Sequence, residues 1–81
     1  VFETAFDEVH EDFLVRLKER FPDLTPREMR LCAYLKMNIS TKEISTLMNI
    51  SVRGVEISRY RLRKKLGIGR ETNLTLFILG L

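Results

Sequence analysis

Chemistry concentrates in one stretch of this chain. Six bases, Arg53, Arg59, Arg61, Arg63, Lys64 and Lys65, stand close together, with Ile57 and Tyr60 set among them. A basic segment this dense suits a polyanionic partner. From charge alone, a solvated helix face accounts for it equally well. Other reactive groups are few. Cys32 and His10 are the single cysteine and the single histidine, and a lone thiol in an apolar helical stretch reads as a buried small hydrophobe rather than a nucleophile. One cysteine excludes an internal disulfide and any multi-cysteine metal site, and it fits a reducing, cytoplasmic compartment. No Gly-rich phosphate loop, metal cluster or nucleophile-with-base arrangement is present. The expectation is a non-enzymatic chain with no cofactor.

The formal net charge is +3, and its distribution is uneven. Residues 1–28 carry Glu3, Asp7, Glu8, Glu11, Asp12, Glu19, Asp23 and Glu28 against four bases, a net of −4. Residues 29–81 carry ten bases against Glu43, Glu56 and Glu71, a net of +7. With 81 residues, 44% of them hydrophobic, the chain is long enough for one small domain with a modest core. The longest apolar run, Leu74-Thr75-Leu76-Phe77-Ile78-Leu79, falls far short of the roughly 20 residues that span a bilayer. No membrane contact is expected of this fragment. No signal peptide opens the chain, and a start on Val1 reads as a piece of a longer protein.

The elements that must position the basic segment are helices. Phe2, Phe6, Val9, Phe13, Leu14, Leu17 and Phe21 recur at spacings of three and four, which predicts a first helix from Thr4 to Arg20 with one apolar stripe. Pro22 and Asp23 end it. Thr25, Pro26 and Glu28 form a helix start: cap, first-turn proline and a carboxylate that reaches back. Leu31, Cys32 and Leu35 supply the inner face up to Met37, and Asn38 and Ile39 turn the chain. Ser40-Thr41-Lys42-Glu43 reads as a second capping box, opening a short helix with Ile44 and Leu47 or Met48 inward. Asn49 breaks that helix, and Ser51 caps the next. From Ser51 to Leu66, Val55, Leu62 and Leu66 fall on one side at 100° per residue, with Arg53, Ile57, Tyr60 and Lys64 on the other. Gly67 stops this helix. A last helix from Thr72 turns Leu74, Phe77 and Ile78 inward.

Two short helices joined by a tight turn, the second amphipathic with a basic outer face, match the helix-turn-helix plan. In that plan the second helix enters the major groove of double-stranded DNA. The residues that carry it resemble the LuxR-type (GerE-type) DNA-binding domain of bacterial transcription regulators. The matching pieces, in order, are Leu24-Thr25-Pro26-Arg27-Glu28, Ser40-Thr41-Lys42-Glu43-Ile44, Ile50-Ser51-Val52-Arg53-Gly54-Val55-Glu56 and Arg63-Lys64-Lys65-Leu66-Gly67. The resemblance spans residues 24–68, a little over half the chain, and Thr72-Asn73-Leu74 fits the family's fourth helix. The resemblance implies an all-α fold: a four-helix LuxR-type domain over 23–81 with an additional N-terminal connector helix over 1–22 packed on it. It implies sequence-specific DNA binding by the output domain of a signal-responsive regulator, with the helix from Ser51 to Leu66 as recognition helix. Its base-facing positions carry over to Glu56, Ile57 and Tyr60, and its phosphate contacts to Lys42, Arg53, Arg61 and Lys64. It also implies that the C-terminal helix pairs two copies as a homodimer, through Leu76, Phe77 and Leu79.

The chain departs from the family at three positions. The family often has threonine where Gly54 stands, a basic residue at Glu56 and histidine at Ser58. Glycine inside a helix costs up to about 1 kcal/mol, and Glu56 sets a negative charge where phosphates or bases approach. These departures bear on target sequence and affinity rather than on fold. They leave one alternative: a helix-turn-helix module that has lost DNA binding and contacts another protein.

Overall fold

The computed structural model describes residues 12–81. These form five helices and no strand: α1 over 12–20, α2 Pro26–Lys36, α3 Thr41–Met48, α4 Val52–Leu66 and α5 Leu74–Leu79. The part of the expected first helix from Thr4 to Glu11, with Phe2, Phe6, Val9 and His10 of its stripe and surroundings, lies outside the described residues.

Each later helix starts on a side-chain cap. Thr25 Oγ1 accepts the Glu28 N–H at 3.1 Å while Glu28 Oε1 accepts the Thr25 N–H at 2.9 Å, a complete capping box. Ser51 Oγ accepts the Gly54 N–H at 3.0 Å and opens α4. Asn73 Oδ1 accepts the Leu76 N–H at 3.0 Å and opens α5. At α3 the expected box is only half formed. Ser40 Oγ accepts the Glu43 N–H at 3.2 Å, but the Glu43 carboxylate takes the Ser40 hydroxyl proton instead of the Ser40 backbone N–H. A hydroxyl can donate and accept at once, so it satisfies both partners without the backbone.

The helices end as uniformly as they begin. α2, α3 and α4 are each followed by a residue in the left-handed region: Asn38 at φ 59°, Asn49 at φ 57° and Gly67 at φ 74°. Behind each comes an isoleucine whose N–H donates back five residues: Ile39 to Tyr34 at 3.1 Å, Ile50 to Ser45 at 3.0 Å and Ile68 to Arg63 at 3.2 Å. These bonds are the Schellman closure, which satisfies carbonyls left over at a helix end. All three isoleucines are partly buried against the core. Asparagine tolerates the left-handed region better than most side chains, because its amide bonds locally.

The core draws on all five helices: Phe13 and Leu17 of α1, Leu31, Cys32 and Leu35 of α2, Ile44 of α3, Val55, Leu62 and Leu66 of α4, and Leu74 and Ile78 of α5. On α3, Met48 packs inward and Leu47 stays exposed. α3 packs on α4, and α2 on α5. Lys36 ties three helices together: its ammonium stands 5.2 Å from the centroid of the Phe13 ring and donates to the Leu79 carbonyl at 3.0 Å. From α1, Arg16 donates to the Leu81 carbonyl at 3.2 Å.

One ion pair clamps the far end of α4 to the start of α2. Lys65 Nζ lies 2.7 Å from Glu28 Oε1 and also donates to the Asp23 carbonyl at 3.1 Å. Partial burial works to raise the Glu28 carboxyl pKa, but Lys65 and the Thr25 N–H outweigh it and hold the group below its ordinary 4.5. The pair therefore adds stability above about pH 4.5, and that contribution disappears as the pH falls through the folded carboxyl's lower pKa. Glu28→Gln keeps an oxygen for the Thr25 N–H and removes only the charge. The variant is expected to lose about 1 kcal/mol at pH 7. Thermal melts from pH 7 to pH 3 should show the gap between wild type and variant closing in acid.

Candidate nucleic-acid interface

The corner between α3 and α4 sets the direction of α4. Asn49, Ile50 and Ser51 are the only residues between the two helices. The first turns the backbone, the second anchors it in the core and the third caps α4. Gly54 sits beneath this corner. A Cβ there would stand 3.3 Å from Ser51 Oγ and 3.5 Å from the Ile50 side chain. The absence of a side chain lets the corner close tightly over the first turn of α4, which offsets some of the glycine's cost in helix propensity.

With α4 held this way, Val55, Leu62 and Leu66 are buried. Its opposite face is an open strip. Arg53 and Lys64 are exposed, Ile57 keeps 43% of its surface and Tyr60 keeps 58%. The Lys64 ammonium stands 4.8 Å from the centroid of the Tyr60 ring, a cation–π contact. Glu56 and Arg61 are exposed on the two flanks of this strip. Lys42 lies exposed in the first turn of α3. The geometry thus brings Arg53, Ile57, Tyr60 and Lys64 together on one face, with Glu56, Arg61 and Lys42 beside it.

Not every base of α4 belongs to that face. Lys65 is held by Glu28 and Asp23, and Arg63 donates to the Gly69 carbonyl. Both side chains tie α4 to neighbouring segments. Arg59 is half-buried. Burial pushes its guanidinium pKa down, the charge of Arg63 pushes the same way, and Glu56 partly offsets both. Glu56 therefore balances charge within α4 as well as marking its surface.

The remaining candidates divide. Leu76 keeps 67% of its surface and Leu79 is exposed, whereas Phe77 is half-buried against the chain's own core. The Cys32 thiol is fully buried. Burial, and secondarily the charge of Glu28, push its pKa up to about 12, so it stays a neutral thiol. Among the described residues no cluster of His, Cys, Asp and Glu could hold a metal ion, and no helix is long and apolar enough to cross a membrane.

Two side chains on the rim of this region escaped the sequence reading. Arg27 and Arg30, exposed on α2, line clefts that α2 forms with α3 and α4. Their three-residue spacing, which puts them on one helix face, was the available signal.

The sequence of 22–78 matches the family model for bacterial regulatory proteins of the luxR family. No curated protein and no solved structure matches the chain. The matched span takes in α2 to α5 almost whole, with both helices of the helix-turn-helix. This chain belongs to the luxR family of bacterial regulatory proteins.

Proposed function

We propose that the chain binds double-stranded DNA with sequence preference, as the output domain of a bacterial transcription regulator working in the cytoplasm. One observation carries this reading. A helix anchored on one side by three buried residues presents, on the other, an exposed strip of bases, an isoleucine and a tyrosine. The major groove of B-DNA admits such a helix. Arg53, Arg61, Lys64 and Lys42 take phosphates and set the register, while Glu56, Ile57 and Tyr60 face base edges. Residues 1–22 connect this domain to upstream parts of the regulator. The burial of Phe13 and Leu17, and the Arg16 bond to Leu81, support a connector seated on the domain.

These four phosphate contacts alone give a log–log dependence of affinity on salt with a slope of about −3.6 per monomer, and each further contact steepens it by roughly 0.9. Mobility shifts on promoter DNA at several salt concentrations read this slope directly. A salt-independent affinity, or no binding in low salt, would sink the proposal.

Glu56 sets which bases are read. A carboxylate cannot donate to guanine, but it accepts a hydrogen bond from the exocyclic amine of cytosine. Ile57 adds apolar contact to a thymine methyl. Glu56→Lys is expected to raise non-specific affinity and to switch or relax the preferred motif, a good base contact being worth about 1–3 kcal/mol. Binding-site selection on both proteins checks this. The same motif from both would place Glu56 off the bases. A motif from the variant alone would favour the other reading, a helix-turn-helix given over to protein contact.

Two copies pair through α5. Leu76 and Leu79 are exposed there while Leu74 and Ile78 hold the helix to its own core, with Phe77 at the boundary. A two-fold pair matches two half-sites about one helical turn apart. Sedimentation equilibrium with and without DNA is expected to show a dimer; a strict monomer in both would contradict it.

A further inference from the structure

Many cations of the described residues already have a partner within the fold. Lys18 donates to the Pro22 and Leu24 carbonyls at 3.1 Å, Lys36 to Leu79, Arg16 to Leu81, Arg63 to Gly69 and Lys65 to Asp23 and Glu28. Arg27 and Arg30 differ. Among the described residues neither makes a hydrogen bond or meets a carboxylate within 4.0 Å, and the one ion pair is Lys65 with Glu28. The acid beside them, Glu28, lines the same cleft as Arg27, and its charge is paired there with Lys65 at 2.7 Å.

Their position matters more than their freedom. Arg27 and Arg61 line the same cleft between α2 and α4, together with Ser58 and Met48. Arg27 and Arg30 line the adjoining cleft between α2 and the end of α3, with Pro26, Leu47 and Met48. The two clefts share Arg27 and Met48, so Arg61, Arg27 and Arg30 form one row. The row begins on the flank of the recognition helix and runs out along α2. Leu47, Met48 and Pro26 give it an apolar floor on which arginine stems can rest with their heads in water.

We propose that Arg27 and Arg30 form a second phosphate-binding strip, which takes the DNA backbone where it leaves Arg61. The inference rests on the DNA reading above. Side chains three residues apart on a helix stand about 5–6 Å from one another, and the guanidinium fork matches phosphate oxygens two at a time. Continuity with Arg61 favours a nucleic-acid backbone over an acidic polypeptide, which would need no connection to α4. The strip carries no sequence information of its own. It lengthens the grip of a domain whose recognition helix has a carboxylate at its edge.

The test compares wild type, Arg27→Gln/Arg30→Gln and Arg27→Lys/Arg30→Lys on a duplex selected by the wild type and on a scrambled duplex, over a salt series. The glutamine pair is expected to bind both duplexes more weakly by a similar factor and to flatten the salt slope by about 1.8, at roughly 0.9 per lost phosphate contact. The lysine pair keeps the charges and should keep most of the slope. Arg20→Gln/Arg70→Gln, which removes two exposed charges from α1 and the α4–α5 connection, should leave the slope as it was. Melting curves report whether each variant is folded. An unchanged slope in a folded glutamine pair overturns the strip while leaving the DNA reading standing, as would an equal flattening in the Arg20/Arg70 pair. A glutamine pair that binds DNA normally but loses an acidic protein partner overturns it in favour of a polypeptide site. Wild type that fails to bind any duplex in low salt removes the DNA reading and the strip with it.

Discussion

The direction of α4 depends on a three-residue corner, Asn49-Ile50-Ser51. Asn49 takes the left-handed backbone that reverses the chain, the Ile50 N–H closes the end of α3 on the Ser45 carbonyl, and Ser51 caps α4 through the Gly54 N–H. Because Ile50 is also seated against the core, rotating α4 would pull an apolar side chain into water. The corner is repeated at Asn38-Ile39-Ser40, and Gly67-Ile68 closes α4 in the same way. The ends of α2 and α3 therefore satisfy leftover carbonyls and fix the next helix without a long loop. An exposed face on such a scaffold loses little conformational freedom on binding a partner, which favours affinity.

Charge in this domain has two duties that composition alone does not separate. Lys36, Arg63 and Lys65 stitch helices and connections together through backbone carbonyls and Glu28. Arg53, Arg61 and Lys64, with Lys42 on α3, are exposed to solvent and available to an anion. The partition follows from helical geometry. At 100° per residue, Lys65 lies nearer the buried face of α4 than Lys64 does, so adjacent lysines reach opposite surroundings.

The helix starts at Thr25 and Ser51 were legible because capping is a local matter of a side chain and the N–H groups just beyond it. The inward set Val55, Leu62 and Leu66 was legible from period alone. Most of what escaped depends on tertiary neighbours. The box at Ser40 is a local exception: the Glu43 carboxylate takes the Ser40 hydroxyl proton rather than the backbone N–H. Leu47 and Met48 are both apolar and adjacent, and only tertiary packing decides that Met48 goes inward. Six bases between Arg53 and Lys65 looked like one surface until Glu28 and the Gly69 carbonyl claimed two of them. Phe77 served equally well as a core residue or a contact for a second copy, and the structure seats it partly on its own core. The repeated Asn-Ile-Ser tripeptide was in plain view, but its meaning lies in the positive φ of its asparagines, which no periodicity reports.

The central claim is that DNA lies along the outer strip of α4 while the rest of the scaffold holds still. A backbone amide NMR titration with a selected duplex tests it residue by residue. The account predicts that the largest shifts and line broadening fall on Arg53, Ile57, Tyr60, Arg61 and Lys64, with little change at Phe13 and Leu17 of α1. Shifts centred on α1 or α5 instead, with α4 unaffected, would contradict it.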